Sequence, residues 1–387
     1  MRILQIHNPY RQGGGEDSVV RSEAALLRAA GHEIVEHQAV NPPGAVGAAA
    51  ALSVSSWNPA SVRSVAEVVD RTDPDIAHVH NTWYRLSPSV LRPLQQRQIP
   101  IVTTIHNYRL LCANALLYRD GAACTDCVGT HPWRGVSRRC YRDSFVASAA
   151  VASSIAIHRR LGTWVRYVDR FVVATDFLHA MLVEAGLPAD RIQRIPLSTA
   201  DPGPRVQAPS RSSAVVVVGR LDAEKGTREL IELWRDLDHN LELRVIGDGV
   251  DRSELEALRV PNVRFMGWME PAQIRQEMLT ARALIFPSVL IETFGLSMVE
   301  AFAAGLPVIA NDIGTRREVV GSDGAGWLVR DRGGWARALG NLGDDAVVDT
   351  AGAAGRSRYE ARFDPAVTLP QLVGIYESLL LSAAPPN

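Results

Sequence analysis

The chain has 387 residues, of which 47% are hydrophobic and 21% are charged, and its formal net charge at pH 7 is −1. This composition is that of a globular protein and excludes an intrinsically disordered chain. The near-zero charge excludes nucleic-acid binding by overall electrostatic attraction, and the length suffices for two domains of ordinary size.

The first half of the chain alternates short apolar stretches with helical patterns. We predict a helix near 17–30 and strands near residues 2–6, 33–36, 75–79, 100–105 and 170–174. This alternation is typical of an α/β domain built on a doubly wound parallel sheet. The first strand shows polar alternation instead of the apolar run of a secretory signal, so we expect a cytoplasmic protein.

A glycine-rich loop lies between the first strand and the first helix. Gly13, Gly14 and Gly15 precede Glu16 and Asp17, and glycines let backbone amides approach an anion or a sugar without a side-chain clash. Gly14 and Gly15 are therefore candidate ligand contacts. The alternative is a tight turn without a ligand, with Asp17 as a helix-capping residue.

Polar side chains follow two later strands. His106 stands at the end of the strand near 100–105, and His80, Asn81 and Trp83 follow the strand before it. Ligands of parallel sheets lie at the carboxyl ends of the strands, so His106 is a candidate to donate to a sugar hydroxyl or carbonyl. The other three side chains are candidates for an acceptor site. The alternative for a single histidine is a packed or surface residue.

The four cysteines fall within 29 residues, at Cys112, Cys124, Cys127 and Cys140. Four thiols match the ligand count of a tetrahedral zinc site, although the spacing around the Cys-x-x-Cys pair only loosely resembles a zinc module. A structural zinc and reduced structural thiols both stay open, and a cytoplasmic location disfavours stable disulfides.

A basic stretch follows the cysteines. Residues 131–170 contain two acids and eight arginines, a local net charge of +6, namely Arg134, Arg138, Arg139, Arg142, Arg159, Arg160, Arg166 and Arg170. Within it the apolar run Phe145–Ile157 is too short to span a bilayer. One interpretation is a peripheral contact with the inner membrane face or a site for an anionic, lipid-linked acceptor. The other is a core helix flanked by solvated arginines.

The proline-rich segment 196–212 interrupts this alternation, and its composition predicts a linker between two domains. A second alternating run follows it, with strands near 214–218, 242–246, 263–265, 283–286, 307–310 and 327–329. This run predicts a second doubly wound sheet. Neither half contains a dinucleotide-binding glycine fingerprint or a P-loop, which argues against a dehydrogenase or an NTPase.

Two cations flank the first strand-to-helix turn of the second run. Arg220 and Lys225 follow the strand 214–218, and a helical pattern begins directly after Gly226. Two cations beside a helix N-terminus suit a diphosphate, because they neutralise the charge that a nucleotide leaving group develops. The alternative is a solvated loop in which the cations pair with Asp222 and Glu224.

A later loop carries two carboxylates around the start of a helix. The apolar strand 283–286 ends at Pro287, and Glu292 and Glu300 lie on either side of the point where an amphipathic helix begins. We expect Glu292 to accept from sugar hydroxyls, and Glu300, about two turns into the helix, to accept from ribose hydroxyls. A capped surface helix with one solvated glutamate is the alternative.

The backbone at this helix start favours a phosphate. The N–H groups around Phe294, Gly295 and Leu296 have no partner within the helix and lie at its positive end. Gly295 allows a ligand to approach the backbone closely. We therefore expect a phosphate between the two glutamates.

These motifs resemble the signature of the family-4 retaining glycosyltransferases, also called group 1 glycosyltransferases. The match consists of Glu292, seven intervening residues and Glu300, with Phe294-Gly295 between them and residues 304–310 after them. The resemblance implies the GT-B fold, in which two Rossmann-like domains face each other across a cleft. It implies an acceptor domain at 1–195, a nucleotide-sugar donor domain at 213–365, and a C-terminal helix at about 366–387 that packs back on the first domain.

The resemblance also implies roles for the candidate residues. Glu292 and the amides of Phe294, Gly295 and Leu296 would hold the donor sugar, and Glu300 the nucleotide ribose. Arg220 and Lys225 would hold the diphosphate, and His106 would contact the donor sugar near its 6-position. The backbone near Gly247 and Met266 would bind the base. The glycine loop, with Gly14 and Gly15, would lie beside the donor phosphate and the acceptor.

The implied reaction is hexosyl transfer from a nucleotide sugar to an acceptor hydroxyl of a glycan, glycolipid or small molecule, as in polysaccharide or glycoconjugate biosynthesis. Retention without an enzyme nucleophile implies front-face attack, assisted by the leaving diphosphate. No catalytic metal is expected, since Arg220, Lys225 and the helix dipoles take its place. The alternatives are an epimerase or phosphorylase of the same fold, or a non-catalytic sugar-nucleotide-binding partner of a glycan synthase complex.

Overall fold

The computed structural model describes residues 1–10, 14–42, 44–237 and 240–383. Gly13 and the last four residues of the predicted C-terminal segment lie outside the described residues. The chain divides into two compact units. The first comprises Met1–Arg119, Cys124–Pro196 and the chain from Thr368 onward, and the second comprises Asp120–Ala123 and Leu197–Val367.

The strands of the described residues are β1 (Arg2–His7), β2 (Glu33–Gln38), β3 (Ile76–Asn81), β4 (Ile101–Thr104), β5 (Tyr118–Arg119), β6 (Ala122–Ala123), β7 (Arg170–Val173), β8 (Ile192–Arg194), β9 (Ala214–Val218), β10 (Glu242–Ile246), β11 (Val263–Gly267), β12 (Ala283–Phe286), β13 (Val308–Asn311) and β14 (Gly326–Val329). The α-helices are α1 (Gly15–Ala29), α2 (Gly44–Ser53), α3 (Pro59–Thr72), α4 (Leu91–Gln96), α5 (Arg134–Ser137), α6 (Phe145–Arg160), α7 (Thr163–Tyr167), α8 (Asp176–Glu184), α9 (Thr227–Arg235), α10 (Arg252–Ala257), α11 (Pro271–Thr280), α12 (Leu296–Ala303), α13 (Arg316–Val320), α14 (Arg332–Gly340), α15 (Asp345–Arg362) and α16 (Pro365–Ala383).

Each unit contains a parallel sheet of six strands. The strand order is β2-β1-β3-β4-β7-β8 in the first sheet and β11-β10-β9-β12-β13-β14 in the second. Neighbouring strands pair in parallel throughout both sheets. The predicted α/β fold class with two doubly wound sheets is therefore confirmed. The short edge strand β8 was missed, because only its first residue is buried.

The direction of strand order reverses once in each sheet. The reversal lies between β1 and β3 in the first sheet and between β9 and β12 in the second. The loops that leave the carboxyl ends of two such strands diverge, which opens the crevice where doubly wound sheets bind their ligands. Each unit therefore has one topologically preferred ligand site.

Apolar side chains of both sheets pack into buried hydrophobic cores. The core of the first unit joins Ile3, Ile76 and Val102 of the sheet to Ile375 and Leu379 of α16. The core of the second unit surrounds Val215 and Ile285 of the two central strands. The predicted linker is ordered against the second unit, where Arg205 donates to the carbonyls of Ala281 (2.7 Å) and Ala304 (2.9 Å).

Gly226, at the start of α9, provides a test of how the second unit is assembled. Its φ of +69° suits glycine, and an added Cβ would lie 2.3 Å from the carbonyl oxygen of Pro287. We expect Gly226→Ala to lower the free energy of unfolding by roughly 2–4 kcal/mol, measured by urea unfolding. Gly340→Ala is the control, since nothing lies within 4 Å of a Cβ there. Equal stability of the two variants would contradict close packing at Gly226.

Candidate functional site

The switch point of the second sheet brings two predicted motifs together. The turn after β9 ends in a 3₁₀ segment, Ala223–Lys225, and the loop after β12 begins at Pro287. The N–H of Val289 donates to the carbonyl of Glu224 at 3.0 Å, so the two loops share a backbone hydrogen bond. Sequence-distant residues 225 and 292 thereby become neighbours.

Glu292 forms an ion pair with Lys225. Lys225 Nζ lies 2.7 Å from Glu292 Oε1, and both side chains are about one-fifth exposed. Ser288 Oγ donates to the same carboxylate oxygen at 3.0 Å. Burial by itself raises the pKa of Glu292, but the Lys225 ammonium and these hydrogen bonds outweigh it, so the pKa lies below its ordinary value. Glu292 is therefore an ionised, fixed hydrogen-bond acceptor.

Arg316, which sequence reasoning missed, fixes the loop that carries Glu292. Its side chain is fully buried and donates to the carbonyls of Ser288 at 2.7 Å and Leu290 at 2.8 Å. Thr315 Oγ1 donates to the carbonyl of Glu292 at 2.9 Å. No local pattern distinguishes Arg316 from the exposed Arg317, because the carbonyls of Ser288 and Leu290 that Arg316 binds lie more than twenty residues earlier in the chain.

The predicted phosphate-binding helix start is α12. Gly295 is its N-cap with a φ of +94°, and an added Cβ there would lie 2.5 Å from Met298 Cε. Phe294 is buried, with its ring 5.8 Å from that of Phe363. Phe294 is thus a packing side chain, and Gly295 and Leu296 present the first amides of the helix.

Glu300 lies about one turn into α12, which corrects the expected two turns, because the helix begins only at Leu296. Burial raises the pKa of Glu300 to about 7, although Arg275 opposes the shift. At neutral pH this carboxyl is therefore close to half-protonated. Hydroxyl donors from a bound ligand would stabilise its ionised form.

Arg220 has different partners from Lys225. Its guanidinium contacts Asp222 at 2.5 Å and Glu224 at 3.4 Å, and the side chain is 56% exposed. These contacts are the local acid pairing that the sequence left open as the alternative. Among the described contacts, Arg220 and Lys225 therefore do not share a partner.

The backbone at the carboxyl ends of β9, β10 and β11 approaches closely. Gly247 has a φ of +141°, and an added Cβ would lie 1.8 Å from the carbonyl oxygen of Gly219. The Gly247 N–H donates to the Gly267 carbonyl at 2.8 Å. Met266 is half-buried and Trp268 is 63% exposed. The base contacts at Gly247 and Met266 stay a prediction.

In the first unit, the switch point is lined by histidines. His106 Nε2 lies 3.0 Å from His80 Nδ1, and His80 Nε2 lies 3.2 Å from Glu23 Oε1. His78 Nδ1 lies 2.9 Å from the same oxygen. Sequence reasoning named His106 and His80 but missed Glu23 and His78. His78 could have been found from the alternation His78-Val79-His80, which places both histidines on one face of β3. Glu23 had no such signal.

The glycine-rich loop leads into two acidic residues in the first turn of α1, and the Gly14 amide already has a partner. Asp17 accepts from the Gly14 N–H at 3.0 Å and lies 2.7 Å from His7 Nε2, which confirms it as a capping residue. Glu16 accepts from Tyr10 at 3.1 Å and Asn107 at 3.2 Å. Burial raises the pKa of Glu16 to about 7, more than neighbouring His7 lowers it.

The four cysteines line one small cavity together with Asn114 and Arg138, and none forms a disulfide. Burial and the neighbouring thiols raise the pKa of Cys127 and Cys140. In the described part of the chain, the group of three ligand atoms within 4.8 Å of one another is Glu23, His78 and His80 rather than a cysteine set. A structural zinc at the cysteines stays a prediction.

Helix α6 has a buried face, and apolar side chains are exposed near its two ends. Val151 and Ala152 are fully buried, whereas exposed apolar side chains stand at both ends of the helix and just after it, namely Phe145, Val146, Ile157, Leu161 and Val165. Arg142, Arg160 and Arg166 are exposed around them. No helix among the described residues is long and apolar enough to cross a bilayer.

Family models match both halves of the chain. The model described as Glycosyltransferase Family 4 matches residues 13–198, and the model described as Glycosyl transferases group 1 matches residues 204–342. A phosphatidyl-myo-inositol mannosyltransferase of Mycolicibacterium smegmatis is 26% identical over 97% of this chain and 89% of its own length. A GDP-mannose-dependent alpha-mannosyltransferase of the same organism is 33% identical over 46% of each chain.

Solved structures agree on the fold. Sucrose-phosphate synthase from Thermosynechococcus elongatus superposes with a TM-score of 0.74 at 21% identity, over 99% of this chain and 100% of that one. HepE of Anabaena, solved in complex with UDP, superposes with a TM-score of 0.70 at 16% identity, over 98% and 100%. The two sheets thus define a glycosyltransferase of the GT-B fold. The chain belongs to the group 1, or family-4, glycosyltransferases.

The Lys225–Glu292 pair predicts a pH-dependent stability. Lys225→Met leaves a buried carboxylate without its cation, so we expect the free energy of unfolding to fall by about 1–3 kcal/mol at pH 8. Because the folded-state pKa of Glu292 is lowered, the contribution of the pair is present above pH 4.5 and is lost as the pH falls through that lowered pKa. Urea unfolding at pH 8 and at pH 4 measures both values.

Arg220→Met is the matched control. Arg220 is mostly exposed and pairs with acids in its own turn, so its removal should change stability by less than about 1 kcal/mol. Equal losses for the two variants at pH 8, or a loss for Lys225→Met that does not shrink at pH 4, would contradict the assigned pair.

Proposed function

We propose that the protein transfers a hexose from a nucleotide-sugar donor to an acceptor hydroxyl with retention of configuration and without a catalytic metal. One observation carries the proposal: a fixed carboxylate and an ammonium, Glu292 and Lys225 at 2.7 Å, stand at the switch point beside the start of α12. This pairing suits a ligand that carries both hydroxyls and a diphosphate.

The ligand-free contacts suggest how the donor is bound. A diphosphate at the amides of Gly295 and Leu296 competes with Glu292 for the Lys225 ammonium, and the exposed Arg220 is available to turn from its own acids. Glu292, held by Ser288, then accepts from hydroxyls of the sugar. The positive Lys225 attracts the diphosphate and the negative Glu292 repels it, so the two side chains together fix the orientation of the donor.

The other roles follow from position. Glu300 accepts from the two ribose hydroxyls, and the backbone at Gly247 and Met266 contacts the base. In the first unit, His106 contacts the donor sugar, and Gly14 and Gly15 lie beside the donor and the acceptor. UDP in HepE and the GDP-mannose dependence of the mannosyltransferase relative make UDP- and GDP-sugars the first donors to examine.

The proposed chemistry needs no nucleophile from the protein. The acceptor oxygen attacks the anomeric carbon on the face that the diphosphate leaves, and a diphosphate oxygen takes the acceptor proton. Lys225, Arg220 and the amides at the start of α12 stabilise the charge on the departing diphosphate. Retention follows because attack and departure share one face.

We also propose that the acceptor is lipid-linked and that α6 rests on an anionic membrane surface. The support is the set of exposed apolar side chains at the ends of α6 and just after it, with exposed arginines around them. Apolar side chains can enter the headgroup region, and arginines attract anionic lipids. A small, largely apolar cavity of about 70 Å³, lined by Trp83, His106, Ile155 and Trp164, adjoins this helix. The mannosyltransferase relative is named for a phosphatidylinositol acceptor.

Donor binding and turnover test the main proposal. UDP-, GDP-, ADP- and dTDP-sugars are titrated by calorimetry with EDTA present, and slow hydrolysis and transfer are followed by NMR. We expect one donor to bind selectively, Glu300→Ala and Lys225→Ala to weaken its binding by roughly tenfold or more, and the product to keep the donor's anomeric configuration. Gly340→Ala, far from these loops in sequence, is the control for general damage.

Three outcomes would contradict this proposal. An inverted product would exclude front-face transfer, and a strict Mn²⁺ requirement would exclude metal independence. Selective binding without any turnover would favour the non-catalytic binding partner instead.

Vesicle co-sedimentation tests the membrane contact. We expect binding to phosphatidylglycerol-containing vesicles that weakens with salt, and little binding to pure phosphatidylcholine. Leu161→Asp should reduce binding several-fold, because it places a charge on the apolar face. Val206→Asp is the matched control, since Val206 is 96% exposed and lies in the second unit. Equal sedimentation with both vesicle types, or equal effects of both variants, would overturn the assignment.

A further inference from the structure

We infer that Glu23 and His80 are positioning residues that hold His106 as its Nε2–H tautomer, so that His106 meets the donor sugar with Nδ1 as a hydrogen-bond acceptor. This inference rests on the proposed function, in which His106 contacts the donor sugar. Glu23 and His80 orient His106, and His106 is the hydrogen-bond acceptor in its contact with the sugar.

The geometry forms a continuous chain of three groups. His106 Nε2 lies 3.0 Å from His80 Nδ1, and His80 Nε2 lies 3.2 Å from Glu23 Oε1. The two imidazole planes are within 24° of each other, which suits an in-plane hydrogen bond between rings. Both histidines come from the carboxyl ends of adjacent strands, and Glu23 comes from α1.

The carboxylate at one end decides where each proton lies. An ionised carboxylate only accepts hydrogen bonds, and the histidines that surround Glu23 hold its pKa well below the ordinary value against the opposing effect of burial. His80 must therefore donate from Nε2, which leaves Nδ1 unprotonated in the neutral ring. His106 must then donate from Nε2 to His80, and its own Nδ1 is the unprotonated nitrogen.

Both rings of this chain are neutral in the physiological range. Burial and neighbouring His78 lower the pKa of His80 to about 4, and burial and His80 lower the pKa of His106 well below its ordinary value. A neutral ring has one donor and one acceptor, so the tautomer argument holds from about pH 5 upward.

The side chains packed around Glu23, His80 and His106 are consistent with these proton positions. Gln5 Nε2 lies 3.3 Å from the carbonyl of Val20, 3.5 Å from Glu23 Oε1 and 3.4 Å from His80 Nε2. Its two amide hydrogens are donated to the Val20 carbonyl and to Glu23, so Gln5 needs no acceptor at His80 Nε2. His78 Nδ1 faces both Glu23 at 2.9 Å and the Tyr376 hydroxyl at 2.7 Å. His78 Nε2 lies 2.7 Å from Thr104 Oγ1, which is its donor when Nδ1 carries the proton. His7 pairs separately with Asp17.

The consequence is a defined polarity at the donor sugar. The position of His106 in the sequence led us to expect a hydrogen-bond donor, whereas the chain from Glu23 makes Nδ1 an acceptor. An acceptor nitrogen selects a sugar hydroxyl, which can donate, over a deoxy or fluoro carbon, which cannot. In metal sites, the residues that orient a ligating histidine affect affinity or activity roughly 10- to 100-fold, and we expect an effect of similar size from the orientation of His106.

Glu23→Gln tests the inference directly. The amide of glutamine can donate to His80 Nε2, which permits His80 to donate from Nδ1 and lets His106 carry its proton on Nδ1. Selective ¹⁵N labelling of histidine, with His106 assigned through His106→Gln, distinguishes pyrrole-like from pyridine-like ring nitrogens. We expect Nε2–H in the wild type and a shift toward Nδ1–H in Glu23→Gln.

Activity is measured in parallel with the selected donor and its 6-deoxy analogue. We expect Glu23→Gln to lower kcat/KM by roughly tenfold or more and to reduce discrimination against the analogue. Thr104→Val is the matched control, because it disturbs His78 on the opposite side of Glu23 and leaves the path to His106 intact. It should alter neither the tautomer of His106 nor the discrimination.

Three results would overturn the inference. The first is Nδ1–H on His106 in the wild type, and the second is an unchanged tautomer and unchanged discrimination in Glu23→Gln. The third is a stoichiometric metal ion, found by mass spectrometry and lost in Glu23→Gln, because the same atoms of Glu23, His78 and His80 would then bind metal instead of protons. The NMR result does not depend on turnover, so a failed donor assay alone would count against the proposed function rather than against the tautomer.

Discussion

The buried guanidinium of Arg316 is the constraint on which the proposed donor site depends. It replaces missing backbone partners for the carbonyls of Ser288 and Leu290, and so gives an irregular loop one shape. Glu292 then lies where Lys225 reaches it, and Thr315 holds its main chain from the other side. This guanidinium is buried against the Phe286 ring and donates to the carbonyls of the loop. A buried charged group is costly to leave unsatisfied, so the loop and the guanidinium stabilise each other.

The two units use different electrostatics at their switch points. The second unit relies on full charges, Lys225 and Glu292, supported by a helix N-terminus. The first relies on the neutral imidazoles of His80 and His106, whose protons are ordered by one carboxylate, Glu23. Full charges suit the binding and release of a diphosphate, whereas ordered neutral rings suit the discrimination of hydroxyl groups that are themselves uncharged.

Much of this architecture could be predicted from the sequence, because the signals are local. Apolar runs such as 214–218 and 283–286 mark buried parallel strands, and the residues that follow each strand must lie at one edge of the sheet. Partner choice is not local. Nothing near Glu23 in the chain indicates histidines more than fifty residues later. Nothing near Arg316 indicates that it binds carbonyls of a loop more than twenty residues earlier. The edge strand β8 gave no apolar run to detect.

The capped start of α1 has a consequence for ligand charge. The first turn carries Glu16 and Asp17, and Asp17 already occupies the amide of Gly14. A helix start usually attracts anions, but here two acids and a used donor reverse that preference. An anion beside the first turn of α1 would therefore meet the Asp17 carboxylate and find the Gly14 amide already used, whereas an uncharged hydroxyl group could still donate to Asp17.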